Sequence, residues 1–250
     1  MEKYSDNKIF VWLIVILAAL AAIASYLPMG SYGPQQLTPE QMAVPKWQIA
    51  LANAGTVLVF YSLLGWIGLK LSHKLGFAKM WDEKVTNKQR FLIPALIGAA
   101  AGIFVIIGDF IFARFNGIGH FPHPPFPTSL VASATAGIGE EILFRLFFVS
   151  FWMWLVSFVI FRKKFQNQIF WIVAIISGAA FGIAHLPALM VMTELSSAAQ
   201  VPVALWAELI LLNGVVGVLA AYYFRKYGFL AAVGIHFWCD VIWHVIRGLI

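Results

Sequence analysis

Long apolar runs separated by short polar stretches dominate the chain, and their lengths predict its elements. Seven such runs occur, at residues 9–27, 47–71, 91–115, 130–161, 169–189, 205–224 and 229–250. Each is long enough to cross a hydrocarbon core of about 30 Å as a helix. A helix satisfies its own backbone polar groups, which a lipid interior requires. The pattern therefore predicts an all-α polytopic membrane protein of about seven transmembrane helices. The fourth run stands out, because its 32 residues would make about 48 Å of helix. It must tilt, project beyond the bilayer on the inner side, or break in its second half. The polar stretches at 28–46 and 116–129 are rich in Pro, the second carrying Phe-Pro and His-Pro pairs, and read as stiff loops. Residues 190–203 form a third, almost uncharged loop.

Composition agrees with this pattern. Of the 250 residues 61% are hydrophobic and only 11% charged, with mean hydropathy +0.84, whereas soluble domains run near a quarter charged. A single cysteine, Cys239, excludes internal disulfides and a cysteine-rich metal site. The net charge of +6 does not point to nucleic acid, because the basic residues sit between apolar runs. Thirteen of the seventeen fall on one side if the amino terminus lies inside: Lys3, Lys8, six from Lys70 to Arg90, Arg162 to Lys164, Arg225 and Lys226. Only Lys46, Arg114 and Arg247 fall at outer ends. The positive-inside rule then expects a cytoplasmic amino terminus and an outer carboxyl terminus. Ala22-Ile-Ala before Ser25 also resembles a signal-peptide cleavage site, so the first run has that alternative reading. No internal repeat is visible.

Ionisable residues inside apolar runs are costly, roughly 2.5–3.5 kcal/mol each at a helix centre, and so mark a site. The stretch Ala136-Gly-Ile-Gly-Glu-Glu-Ile-Leu-Phe-Arg-Leu146 holds three of them. Glu141 and Arg145 are four apart and share a helix face, which fits a buried ion pair. Glu140 is rotated about 100° away and has no basic residue three or four positions on. A desolvated carboxylate of that kind suits a general base. His185 ends Phe181-Gly-Ile-Ala-His185. His236 and Asp240, in His236-Phe-Trp-Cys-Asp240, share a face that His244 extends. A carboxylate beside a histidine fixes its tautomer and supports its charged form.

The order Glu-Glu-x-x-x-Arg, Phe-x-x-x-His and His-x-x-x-Asp, each in its own apolar run, resembles the CPBP family of intramembrane proteases. That family includes the endopeptidase of prenylated CaaX proteins and bacterial bacteriocin-processing and immunity-related proteins. The resemblance covers roughly residue 130 to the end, with Leu212-Asn-Gly-Val-Val-Gly-Val-Leu219 and Tyr227-Gly-Phe-Leu230 within it. It divides the chain into N-terminal helices at 1–129 and a catalytic helical core at 130–250. The resemblance implies hydrolysis of a peptide bond in a membrane-associated peptide or protein. Glu140 and His185 would activate water, His236 and position 240 would face the oxyanion, and Glu141 and Arg145 would shape the site. No metal or other cofactor is expected. The lipid bilayer and the peptide are the expected partners, and a prokaryotic plasma membrane the expected location. The CaaX-processing members carry Asn where this chain has Asp240. An ionised Asp would repel an oxyanion, so Asp240 must either stay protonated and donate or orient His236; the second is the favoured expectation.

Depth raises a difficulty. Counted at about 1.5 Å per residue from the run ends, Glu140 lies near mid-membrane, His236 about 10 Å and His185 about 24 Å from the inner face. A common site requires the fifth run to enter later or to be displaced along its axis. Rival readings also follow. Glu140, Glu141, His185 and His236 are acceptable zinc ligands, though no His-Glu-x-x-His pair shares a helix. The same fold could serve a non-catalytic immunity or scaffold protein. Asp109, Glu208 and Asn213 are further polar groups in spans, as in ion paths, but paired broken helices in matching halves are missing. Asp109 and Glu208 otherwise read as inter-helix hydrogen-bonding groups, Cys239 as packing, and His120 and His123 as loop residues.

Overall fold

A computed structural model describes residues 5–30 and 43–250. Lys3 and most of the loop expected at 28–46 therefore lie outside the described residues. Among the described residues, seven helices are long and apolar enough to cross a membrane, and no strand is present. They are α1 (Asp6–Ala24), α2 (Lys46–Leu75), α3 (Lys88–Phe112), α4 (Thr128–Ile160), α5 (Gln166–Met192), α6 (Val203–Tyr227) and α7 (Phe229–Leu249). The chain is an all-α integral membrane protein, with spans within a few residues of the runs.

The long fourth run does not break. The helix α4 continues for 33 residues, but its winding loosens to the wider π pattern over Ile142–Val149 and again over Trp154–Ile160. Such stretches are rare and concentrate at functional sites; the first begins directly after Glu141. Arg162 and Lys163, both at positive φ, then turn the chain into α5. That helix is interrupted at His185: an α-helix spans Gln166–Ala184 and a second spans Leu186–Met192. Pro187 explains the interruption, since it has no N–H to continue the ladder and its ring crowds the preceding turn.

Small residues let the helices approach, as membrane bundles require when lipid is as apolar as the side chains. The α5–α6 contact shows it best. A methyl added at Gly182 would lie 2.5 Å from the Leu209 carbonyl oxygen, and one at Gly217 only 2.9 Å from the Gly178 Cα. The main apolar core surrounds α4: Leu13 and Leu17 of α1, Ile138, Ile142, Leu146 and Val149 of α4, Phe170 of α5, Phe224 of α6 and Phe229 of α7 are all buried together. Because α1 contributes to that core, its removal would open the bundle.

The loop between α3 and α4 is laced to the helices by polar contacts. Asp109 Oδ1 accepts from the Phe121 N–H at 3.1 Å, and Oδ2 lies 2.5 Å from His120 Nδ1. Asn116 donates to Glu208 Oε2 at 2.8 Å. Asp109 and Glu208 thus bond to this loop rather than joining one helix to another. The reason is that loop backbone and polar side chains near lipid need acceptors, which the two carboxylates supply. His123 Nδ1 comes within 3.4 Å of His244 Nδ1, so His120 and His123 are loop residues that tie the loop down.

Candidate active site

The motif residues meet at one cavity of about 390 Å³, whose lining includes Glu140, Phe181, His185, Glu208, Asn213, His236, Asp240 and His244. Three helices, α4, α5 and α7, carry the motif residues among these, and α6 adds Glu208 and Asn213. Glu140 and Glu141 end the α-helical part of α4. Being adjacent, they point about 100° apart. Glu141 is fully buried within the bundle, while Glu140 is one-third exposed at the cavity.

Glu141 is the hub of a buried network. Its Oε1 lies 2.9 Å from His236 Nδ1, and its Oε2 lies 3.3 Å from Arg145 Nε. The guanidinium of Arg145 stacks 4.5 Å from the Phe181 ring. A methyl at Gly217 would come 2.9 Å from Arg145 Nη2, so only glycine there leaves room for this side chain. The expected Glu141–Arg145 pair is present, and it is bonded on to a histidine 95 residues away.

This arrangement differs from the favoured expectation for Asp240. The carboxylate that holds His236 by Nδ1 is Glu141. Asp240 Oδ2 instead faces His236 Nε2 at 3.6 Å, on the same side as Glu140 Oε2 at 3.7 Å. Both separations exceed hydrogen-bond length. The i,i+4 spacing puts Asp240 near the ring, but the ring is turned by the shorter bond across the helix interface.

His185 Nδ1 lies 2.8 Å from the Phe181 carbonyl oxygen. An N–H donated to that carbonyl leaves Nε2 as the acceptor, the tautomer a base needs. The Phe181 ring meets both imidazoles edge-on, with centroids 4.9 Å from His185 and 5.3 Å from His236. The depth difficulty is removed by displacement along the axis: α4 and α5 extend together at the end joined by Arg162–Lys164. Glu140 is twenty residues from that end of α4 at Ile160, and His185 nineteen from that of α5 at Gln166.

Among the described residues, no group of three or more His, Cys, Asp or Glu is arranged to hold a metal ion. Of the candidate zinc ligands, Glu141 already faces His236 and Arg145 with its two oxygens. Cys239 is buried and lines the cavity without a nucleophile's base beside it in the hydrogen-bond network. Sequence reasoning missed Tyr61, which lines the cavity from α2; within an aromatic, lipid-rich run it carried no signal.

Residues 122–242 match the family described as type II CAAX prenyl endopeptidase Rce1-like. No curated protein and no solved structure matches the chain. The matched segment, just under half of the chain, holds Glu140, Glu141, Arg145, His185, His236 and Asp240, and it is this segment that is similar to the CPBP/CaaX proteases.

Proposed function

We propose that the chain is an intramembrane endopeptidase in which Glu140 is the general base for water attacking a peptide carbonyl. The observation that carries the reading is that Glu140, His185 and His236 line one cavity within the spanning helices. Water is a weak nucleophile, and a positioned carboxylate contributes about 10²–10⁴-fold by taking its proton. Glu140 combines a cavity-facing position with a buried Oε2 that has no hydrogen-bond partner, so it has bonding capacity to spend on a water. His185, its Nδ1 committed to Phe181, shares that water through Nε2.

His236, held through Nδ1 by Glu141, presents Nε2 to the reacting carbonyl. An N–H there stabilises the tetrahedral oxyanion, and donors fixed before reaction are worth far more inside a water-poor site than in bulk. Arg145 and Glu141 are positioning residues, because they act through the His236 ring. Asp240 sits beside the same Nε2 and helps hold its proton. Proton return from Glu140 to the departing amine completes hydrolysis. The substrate is a membrane-embedded peptide; a prenylated tail is the candidate the family suggests. The enzyme works without a metal, in a plasma membrane of prokaryotic type.

The test uses protein in proteoliposomes and a quenched fluorescent peptide with a farnesylated CaaX tail. Glu140→Gln is expected to lower the rate by about 10³-fold or more, and His185→Ala and His236→Ala to abolish cleavage, with all three variants folded and inserted. A fully active Glu140→Gln protein would overturn the assignment. Loss of cleavage with 1,10-phenanthroline, restored by zinc, would transfer it to a zinc mechanism.

A further inference from the structure

The cavity wall is completed by a residue outside the segment that matches the family. Tyr61, on α2, lines the same space as Glu140, His185 and His236. Two close approaches between α2 and α4 set its height. A methyl at Gly68 would strike the Leu146 backbone carbonyl, and a methyl at Gly139 would come 3.3 Å from the Tyr61 ring. The two contacts are seven residues apart on each helix, so α2 and α4 keep one register over about 10 Å. That register puts Tyr61 against the residue preceding Glu140.

The Tyr61 hydroxyl makes no hydrogen bond to any described residue. Facing lipid, an unpartnered phenol would be costly; facing the cavity, it has a polar ligand to meet. The site also has use for a second donor. In its ionised form Asp240, whose Oδ2 faces His236 Nε2 at 3.6 Å, accepts hydrogen bonds and cannot donate to an oxyanion. Of that pair on α7, His236 Nε2 is then the one that donates to the carbonyl.

We propose that Tyr61 is a catalytic residue contributed by α2: its hydroxyl donates a hydrogen bond to the oxyanion of the tetrahedral intermediate and keeps its proton throughout. The proposal rests on the reading of this cavity as a Glu140-dependent hydrolytic site. It also gives the helices outside the matched segment a part in the chemistry.

Tyr61→Phe removes one oxygen and keeps the ring packed on Gly139. With the farnesylated peptide in proteoliposomes, kcat is expected to fall about 10²-fold while KM moves less than about threefold. A phosphonate analogue of the peptide, whose oxygens stand in for the tetrahedral oxygens, is expected to bind the variant about 10²-fold more weakly. The uncut peptide is expected to bind Glu140→Gln and the Glu140→Gln, Tyr61→Phe double variant alike. Unchanged kcat, unchanged phosphonate binding, or a change confined to KM overturns the role of Tyr61. If wild type cuts, Glu140→Gln does not, and Tyr61→Phe cuts at the wild-type rate, Tyr61 alone is refuted. If wild type leaves the peptide uncut, the hydrolase reading falls and Tyr61 with it.

Discussion

Arg145 is the largest fully buried side chain among the described residues, and its place in the Glu141–His236 network ties stability to the candidate site. Burying a guanidinium is costly unless a partner offsets it, and removing one partner of a buried pair leaves the other uncompensated. Here the partner, Glu141, also holds His236. Arg145→Leu is therefore expected to destabilise the bundle by about 3–5 kcal/mol, read as a lower melting temperature in detergent. Arg145→Lys should recover little, because an ammonium cannot stack flat on Phe181 or fork towards Glu141. The Glu141–Arg145 half of this network was legible from four-residue spacing. The His236 half was not, because residues 95 apart meet only once α4 and α7 have packed.

Among the elements, the loop from α3 to α4 closes one end of the cavity, since Phe121, Pro122 and Pro124 line it. Burial, with the nearby Arg247 charge, holds His123 below the ordinary histidine value of 6.5. The folded loop thus binds that proton less well than the unfolded chain does. Its stability contribution is full above about pH 6.5 and is lost as pH falls below it. Protection against hydrogen exchange across 116–124, taken relative to the unfolded chain at the same pH, is expected to fall between pH 7 and pH 5, and His123→Asn to flatten that dependence. Equal protection at both values would exclude His123 as the cause. The Pro-rich composition marked this stretch as a stiff loop. It did not show that Asp109, Glu208 and His244 would hold it, because their partners are set by the loop's path over α3, α6 and α7.

At the scale of the molecule, alternation of seven helices places the 76–87, Arg162–Lys164 and Arg225–Lys226 connections at one end of the bundle. These basic connections are expected to face the cytoplasm, with the amino terminus. In a Cys239→Ser background, cysteines placed at exposed Lys84 and Lys163 should react with an impermeant maleimide only after the cells are opened. A cysteine at exposed Glu194 should react in intact cells. The reverse pattern would invert the topology and move the cavity's loop-covered end to the inner face.

The sequence by itself determined the membrane environment, the number of spans, their approximate ends and the helices that carry the acids and imidazoles. Those features depend on hydropathy, periodicity and spacing, which are local. Which carboxylate turns His236, how α5 slides to bring His185 level with Glu140, and how Tyr61 reaches the cavity were decided by the tertiary structure. Each depends on how closely two helices approach and in what register. In a lipid interior that is set by small residues and buried polar pairs on surfaces far apart in the chain, not by the pattern along any one helix.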